Sequence, residues 1–411
     1  MPTNREPWIF GLTAASAAAV LVSIAAAEIL LAMACLAWFV LRPRRIQWPA
    51  YVIPLCAFMA ATVLSLAMSA QPEIGMGPVR KFVLFSMGLL AVNFVTSEWR
   101  ARVSHGVLLT VAALMSLVGL VQFGMAYLKF LSTQKLADDP TVLARITGLM
   151  GHWMTFSGEQ LLVWCAAVPA MVVLGRRWLI PLGAVGTSIV LSFTRSVWLG
   201  AISGFLVVAL MLPRKMLIGV VLPVAVVAAG ASGLIYHRVA LSFGQDFAPD
   251  NGRIEMLSVG VRMIRDHPLF GVGPERIHTE FPRYYRGTAD LNNFYYGHLH
   301  NNVIQLAAER GLLCLGTFLW FIFEVYADLM RMLKTSTKDA RWKVLSALAA
   351  LTGFLAAGFF EYNFGDSEVL LLLLFIVSLP YGSVSDDRPG FENTHISQRG
   401  KADFPETTFA R

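Results

Sequence analysis

The fold of this protein is decided by long apolar runs, and the clearest covers residues 103–131, VSHGVLLTVAALMSLVGLVQFGMAYLKFL. One lysine near the end of this run is its only side chain with a full charge. About 20 apolar residues are enough for a helix to cross a bilayer, and lipid favours a helix that is apolar on every side. The run therefore predicts a membrane-spanning helix.

The composition of the whole chain excludes a water-soluble fold. Of the 411 residues, 56% are hydrophobic and only 14% are charged, which is too little polar surface for a soluble domain. The four cysteines have no paired spacing, so neither a disulfide framework nor a zinc site is expected. The net charge of +7 would suggest nucleic acid in a soluble protein. Here the placement of the charges matters more, and we expect no nucleic-acid partner.

The same length criterion predicts an all-α polytopic membrane protein with about twelve transmembrane helices. Residues 1–235 hold helices one to nine, residues 236–301 a periplasmic loop with a helical segment, and residues 302–382 helices ten to twelve. The first apolar stretch is too long for a signal peptide, so we interpret it as retained helix. Residues 383–411 are predicted to be a disordered cytoplasmic tail. The predicted spans are Trp8–Ile24, Ala27–Leu41, Pro49–Ser69, Met76–Thr96, Val103–Leu131, Ser157–Leu174, Trp178–Ser192, Ser196–Leu212, Met216–Tyr236, Asn302–Leu333, Val344–Phe360 and Val369–Tyr381.

The basic residues between these spans predict the orientation of the chain. Twelve crossings place alternate connections on the same side, and cytoplasmic loops carry an excess of lysine and arginine. Five basic clusters then share one side, so both termini are predicted to be cytoplasmic. The clusters are Arg42 with Arg44 and Arg45, Arg100 with Arg102, Arg176 with Arg177, Arg214 with Lys215, and the stretch from Arg331 to Lys343.

The periplasmic segment contains a pattern that is typical of an amphipathic helix lying on the membrane surface. His267-Pro268 is expected to end this helix, and Gly271 and Gly273 to form a tight turn. The predicted apolar face holds Ile254, Leu257, Val261 and Ile264, opposite Glu255, Arg262, Arg265 and Asp266.

Basic residues on the predicted outer side break the positive-inside pattern. A cation at the centre of a membrane helix costs about 2.5–3.5 kcal/mol, and less near the interface, so an anionic ligand is expected to offset the cost. Guanidinium groups bind phosphate through two points and stay charged, which suits a lipid pyrophosphate. For any one of these residues, snorkelling along its helix to the headgroups explains the charge equally well. The set comprises Arg80, Lys81, Arg145, Arg195, Arg253, Arg262, Arg265, Arg276, Arg283 and Arg286.

A histidine opens the tenth predicted span. His300 is followed by Asn301, which is suited to cap the helix, and by a polar stripe of Asn302, Gln305 and Glu309 on one helix face. A histidine at an interface often serves only as a hydrogen-bonding residue, whereas its position beside ten basic residues favours catalysis. The aromatic residues nearby fit an interfacial belt better than stacking on sugars. They are Phe281, Tyr284, Tyr285, Phe294, Tyr295 and Tyr296.

Three stretches of the sequence resemble the O-antigen ligase (WaaL) and O-antigen polymerase (Wzy) superfamily of bacterial envelopes. The first is His300-Asn301, nine residues and then Gly311, and the second is the run FTRSVWLG at residues 193–200. The third is RIEM at residues 253–256, followed by DHPLFGVG at residues 266–273. A weaker likeness, RITGLMGH, covers residues 145–152. The resemblance extends over the last two thirds of the chain.

This resemblance implies a fold like that of GT-C glycosyltransferases and a place in the bacterial inner membrane, with the active site facing the periplasm. It implies transfer of a glycan from undecaprenyl pyrophosphate to a sugar hydroxyl of the lipid A-core oligosaccharide. The matched catalytic residues are Arg195, Arg253 and His300. Topology adds a donor-binding set, made up of Arg80, Lys81, Arg145, Arg265 and Asn301.

The chemistry of these side chains agrees with such a transfer. Negative charge grows on the departing pyrophosphate, which fixed cations such as Arg195 and Arg253 stabilise. An imidazole is a suitable base for the acceptor hydroxyl, so His300 either takes the proton or binds pyrophosphate. The acids considered on the outer side are mostly scattered, so no metal and no cofactor is expected. Four alternatives stay open, namely a Wzy-type polymerase, a protein O-oligosaccharyltransferase, an envelope-lipid transporter and a non-catalytic scaffold.

Overall fold

The computed structural model describes residues 6–41, 46–243, 249–287, 291, 297–337 and 340–382. Throughout these residues the regular elements are helices, so the prediction of an all-α fold is confirmed. The basic cluster at residues 42–45, the aromatic residues at 294–296 and the predicted tail lie outside the described residues. The α-helices are α1 (Glu6–Ala19), α2 (Ile24–Leu41), α3 (Val52–Ala67), α4 (Gly77–Arg80), α5 (Ser86–Phe94), α6 (Glu98–Thr133), α7 (Trp153–Leu174), α8 (Leu179–Leu191), α9 (Arg195–Ala209), α10 (Arg214–Gly230), α11 (Ser232–Phe243), α12 (Pro249–Asp266), α13 (Ile277–Tyr284), α14 (Asn302–Thr335), α15 (Arg341–Gly358) and α16 (Ser367–Gly382).

Several of these helices are long and apolar enough to cross a membrane. Among the described residues five helices meet this test, and six do if α10 and α11, which meet at a 66° bend, form one broken span. Shorter apolar helices accompany them at Pro7–Ala19, Val52–Ala67, Arg195–Ala209 and Ser367–Gly382. The chain is therefore a membrane protein, whereas the count of twelve spans and the likeness to GT-C enzymes stay predictions.

The helix α9 is held against the centre of the bundle by small residues. A Cβ atom added at Gly200 would lie 2.6 Å from the carbonyl oxygen of Gly353, and one at Gly204 would lie 2.5 Å from that of Ala349. Such close approach of two helix backbones is how small residues pack membrane helices. Because α9 begins at Arg195, this contact with α15 fixes the position of that arginine.

Among the described residues, basic side chains are found at both ends of the bundle. Lys343 lies 3.0 Å from the Glu98 carboxylate at the start of α6, and Arg102 and Arg177 line one shallow groove. Three of the predicted cytoplasmic clusters thus meet at one end. The loop with Arg145 joins the far ends of α6 and α7, at what we call the site end. That the site end faces the periplasm stays a prediction.

The helix predicted in the periplasmic segment is present as α12, and it ends at Asp266 as expected. Its buried face was not predicted. Met256, Val259 and Met263 are buried against α13 and the start of α14, whereas Ile254 and Val261 are 65% and 55% exposed. Of the apolar face that the sequence pattern indicated, Ile254 and Val261 are thus turned away from the protein, whereas Ile264 packs against the buried cluster. The place of α12 on the membrane surface stays a prediction.

Two glycine-containing stretches that carry the family resemblance meet each other in the fold. Gly311 interrupts α14 with a φ of 84°, and a Cβ there would lie 2.1 Å from the carbonyl oxygen of Leu269. Gly271, with a φ of 67°, approaches the carbonyl oxygen of Glu309 in the same way. Only glycine combines this backbone conformation with this lack of space. We call this crossing the glycine clamp.

Candidate active site

Four arginines from four different elements come together at the site end. Arg195 begins α9, Arg238 belongs to α11, Arg253 to the first part of α12, and Arg145 to the loop before α7. Burial first, and then the positive charges of Arg238 and Arg253, lower the pKa of Arg145 to about 9. Arg145 therefore remains charged at neutral pH, with the other three arginines and the Glu361 carboxylate within electrostatic reach. We call this set the arginine cluster.

The local sequence around Arg195 explains its position. Phe193 has a left-handed backbone, with a φ of 50°, which turns the chain sharply from α8 into α9. Its ring is buried against Phe123 and Trp198, and the Trp198 indole nitrogen donates a hydrogen bond to the Ile189 carbonyl oxygen at 2.9 Å. The FTRSVWLG run thus builds a rigid corner with Arg195 at its tip.

Arg145 is positioned by an aromatic ring and by backbone contacts. Its guanidinium carbon lies 4.2 Å from the centre of the Trp153 ring, a favourable cation–π distance, and its Nε donates to the Val142 carbonyl oxygen at 2.9 Å. Gln122 of α6 ties the same loop down, because its side chain bonds to the backbone of Thr147 and Gly148.

His300 lies beside a carboxylate that the sequence analysis had overlooked. The Nδ1 atom of His300 is 3.1 and 3.3 Å from the two oxygens of Glu361, and the two side chains are 12% and 8% exposed. Burial would raise the pKa of Glu361, but the hydrogen bond from His300 holds this pKa below its usual range. Glu361 is therefore a carboxylate at neutral pH and accepts a hydrogen bond from the Nδ1–H of His300. This tautomer leaves the lone pair on Nε2.

His298 completes a small polar group with His300 and Glu361. Its Nε2 is 3.5 Å from a Glu361 oxygen, and the two imidazole rings are 4.3 Å apart. Burial first lowers the pKa of His298 to about 4, so this ring is neutral at physiological pH. One ligand atom from each residue lies within 4.8 Å of the others, so this triad has the composition and spacing of a metal site.

The polar stripe predicted on α14 is present and buried. Asn302, Gln305 and Glu309 are each less than 5% exposed. Asn302 donates to the Asn363 side chain at 2.6 Å, and Gln305 accepts from the backbone N–H of Leu299 at 2.8 Å and donates to Glu309. These bonds fix the start of α14, and with it His300, against the loop before α16.

A cavity of about 160 Å³ lies beside this stripe. It is lined by Lys81, Glu275, His298, Glu309 and Arg310, among others. Lys81 donates to the Gly365 carbonyl oxygen at 2.5 Å. Lys81 therefore belongs to this cavity.

The remaining predicted donor-binding residues are not brought together. Arg80 is exposed at the end of α4, and its charge acts on Glu275 rather than on the arginine cluster. Arg265 is exposed twelve residues after Arg253 on α12, or about 18 Å along the helix axis. Asn301 caps α14 as predicted, accepting from Ile304 N–H at 3.0 Å and donating to the Phe359 carbonyl oxygen at 2.9 Å. The Asn301 amide is therefore used in hydrogen bonds within the protein.

Arg238, His298 and Glu361 are the members of this site that were not selected from the sequence. Glu361 directly follows the predicted span that ends at Phe360, and Arg238 comes two residues after the one that ends at Tyr236. Both positions were thus available as outer helix ends in the predicted topology. Glu361 is a single carboxylate between two helices, so no closely spaced acidic pair in the sequence indicates it.

The comparisons with known proteins bear on the same region. A family model described as O-antigen ligase, Wzy_C, matches residues 180–321. The comparison with curated proteins finds no match. The family match confirms the resemblance seen in the sequence. Through this segment, which carries Arg195, Arg253 and His300, the chain is similar to the O-antigen ligase family.

Proposed function

We propose that this protein transfers a glycan from undecaprenyl pyrophosphate to a sugar hydroxyl of the lipid A-core oligosaccharide. Members of its family are ligases or polymerases, and therefore enzymes. The observation that carries the proposal is the arginine cluster beside the His300–Glu361 pair, because it combines anion binding with a base at the same end of a membrane protein. Anion binding alone would not require the His300–Glu361 pair, and a base alone would not require the arginine cluster.

The arginine cluster supports a pyrophosphate leaving group. When the bond between the anomeric carbon and its phosphate oxygen breaks, negative charge grows on that oxygen, and cations fixed in place stabilise it without reorganising. Arg195 at the tip of its corner and Arg145 against Trp153 are held in this way. Their repulsion is relieved by the bound anion, so the same residues bind the donor and lower the barrier.

The His300–Glu361 pair supports removal of the acceptor proton. When His300 donates its Nδ1–H as a hydrogen bond to the Glu361 carboxylate, its Nε2 atom carries no proton and acts as the base. The Glu361 carboxylate then stabilises the imidazolium that forms, as the carboxylate does in a Ser-His-Asp triad. The acceptor oxygen attacks the anomeric carbon, its proton passes to His300, and the pyrophosphate departs with the bonding electrons.

An apolar groove supports a lipid-linked donor. The groove has a volume of about 280 Å³ and lies between α9 and α10, which both pack on α7 and α8. Ala201 and Phe205 line one wall, Val224 the other, and Trp164 and Gly186 the floor. One wall leads up α9 to Arg195, and the other leads through the 66° bend into α11, which carries Arg238. A polyprenyl chain in this groove would place its pyrophosphate at the arginine cluster.

Reconstitution of the purified protein tests the proposal. The protein in lipid vesicles is given an undecaprenyl pyrophosphate glycan together with lipid A-core, and the products are resolved by mass spectrometry. We expect glycosylated lipid A-core from the wild type and none from His300→Ala. Elongated lipid-linked glycan without any glycosylated core would instead assign the chain to polymerase chemistry.

A further inference from the structure

The triad of His298, His300 and Glu361 has the ligand types and two of the separations of a tetrahedral zinc site. Zinc binds imidazole nitrogen at about 2.0–2.1 Å and carboxylate oxygen at about 2.0–2.2 Å, so neighbouring ligand atoms on a tetrahedron lie about 3.3–3.5 Å apart. The observed separations from a Glu361 oxygen are 3.1 Å to His300 Nδ1 and 3.5 Å to His298 Nε2. All three ligand atoms lie within 4.8 Å of one another. The two separations from Glu361 thus fall close to the tetrahedral value.

We propose that this triad binds Zn²⁺ or a similar transition-metal ion and that the bound ion inhibits transfer. The binding follows from the triad alone, whereas the inhibition rests on the proposed function. Two imidazoles with one carboxylate suit zinc, nickel or cobalt, whereas magnesium and calcium prefer oxygen ligands throughout. Three protein ligands leave the fourth position of the ion to water.

The inhibition depends on which ring nitrogen of His300 binds the metal ion. Glu361 faces Nδ1 of His300, so an ion between them binds this nitrogen and displaces its hydrogen. A neutral imidazole then carries its proton on Nε2, which is the nitrogen that has to accept the proton of the acceptor hydroxyl. The ion also takes the Glu361 oxygens that would stabilise the imidazolium. Metal binding thus converts the base into a donor without any movement of the backbone.

The charges around the triad limit its affinity for the metal ion. Arg145 interacts electrostatically with Glu361 and opposes a dication in the triad. His152, which caps α7, lies in the same electrostatic neighbourhood of Glu361 and His300. We therefore expect dissociation constants on the order of micromolar rather than those of a structural zinc site.

Metal binding is tested on the purified full-length protein, without any substrate. Titration of ZnCl₂ against a chromophoric chelator compares the wild type with His298→Gln and Glu361→Gln. The matched control is His278→Gln, which removes an exposed histidine of α13. We expect one zinc ion per wild-type or control chain, and an affinity lower by at least about tenfold in both triad variants. X-ray absorption of the loaded wild type should give two nitrogen ligands and one carboxylate. Equal affinities in all four proteins would overturn the site.

Inhibition is then measured in the reconstituted transfer assay. The rate of each protein is expressed relative to its own rate without metal. Zinc should inhibit the wild type and the His278→Gln control over the concentrations at which the chelator assay shows binding, and His298→Gln only at concentrations at least about tenfold higher. Activation of the wild type by zinc would refute an inhibitory site. If zinc binds at the triad but no lipid-linked glycan is transferred under any condition, the proposed function fails and the metal site stands.

Discussion

The substitution Glu361→Gln tests the pairing of carboxylate and imidazole most directly. Glutamine keeps the size of the side chain and a carbonyl oxygen that accepts a hydrogen bond, so only the negative charge is removed. The Glu361 side chain is 8% exposed, and solvent therefore screens this charge little. A hydrogen bond between charged groups contributes about 1.5–3 kcal/mol. This contribution grows as His300 becomes positively charged, because the full charge pair exists only after proton transfer.

The expected loss of transfer rate follows from the gain in strength of this hydrogen bond when His300 becomes charged. At about 1.36 kcal/mol per tenfold change, removal of the charge should slow the chemical step by roughly 10- to 160-fold. Binding of the donor should be retained, since all four arginines remain and the carboxylate that is removed lies within electrostatic reach of Arg145 without carrying positive charge itself. Single-turnover transfer gives the rate of the chemical step, and equilibrium binding of labelled undecaprenyl pyrophosphate gives the donor affinity. Glu361→Asp keeps the charge and should restore part of the rate.

The control for this experiment is Glu368→Gln, which neutralises a partly exposed carboxylate in the first turn of α16. This variant should transfer at the wild-type rate. Thermal unfolding of each variant, followed by intrinsic fluorescence, shows whether the fold is intact. A wild-type rate for a folded Glu361→Gln protein would refute the orienting role of Glu361. A loss of donor binding in parallel with turnover would show that Glu361 acts through the arginine cluster.

Four further predictions concern donor binding, topology and metals. Arg195→Lys should lose most transfer activity while remaining folded, since an ammonium cannot make the planar two-point contact with phosphate; a wild-type rate would show that positive charge alone is enough. Ala201→Phe should raise the KM for a long polyprenyl donor but not for a short one, whereas Ala209→Phe, outside the groove on the same helix, should change neither; equal effects on both donors would exclude the tail from the groove. A cysteine at Thr335 should resist a membrane-impermeant reagent added from outside and one at Thr279 should react, and the reverse result would invert the topology. Transfer should continue in excess EDTA, and activity that vanished and returned with Mg²⁺ would replace the arginine mechanism with metal catalysis.

The sequence predicted those features that depend on depth in the membrane. Apolar length places helix ends, so the loop before α7 and the start of α14 could be assigned to the same side as Arg195. The stripe of Asn302, Gln305 and Glu309 was predicted because helical periodicity determines which residues share a face. Its burial is confirmed.

The position of a residue around the bundle could not be predicted in this way. Arg80, Arg145 and Arg265 have the same predicted depth, but only Arg145 joins the arginine cluster. Which helices are neighbours is decided by tertiary packing, and hydropathy contains no information about it. The same limit applies to α12, where Met256 is buried and Ile254 exposed although both are apolar.

The glycine clamp explains the spacing of the family motifs in structural terms. The backbone N–H groups of Val272 and Gly273 donate to the carbonyl oxygens of Ala308 and Glu309, both at 2.9 Å, and Leu312 N–H donates to Pro268 at 2.8 Å. This short ladder joins the chain after α12 to the break in α14. Each motif then runs from the clamp to the site along a rigid helix.

The lengths of these two helices determine where the motif residues arrive. On α12, Arg253 lies thirteen residues before Asp266, or about 20 Å along the axis, and the segment of α14 from Asn302 to Gly311 is about 14 Å long. Neither glycine touches the arginine cluster, yet insertion of one residue into either helix would rotate its end by about 100°. Arg253 would then leave the cluster, or His300 would leave Glu361. The nine residues between Asn301 and Gly311 thus determine how far His300 lies from the glycine clamp and on which side of the helix axis it lies.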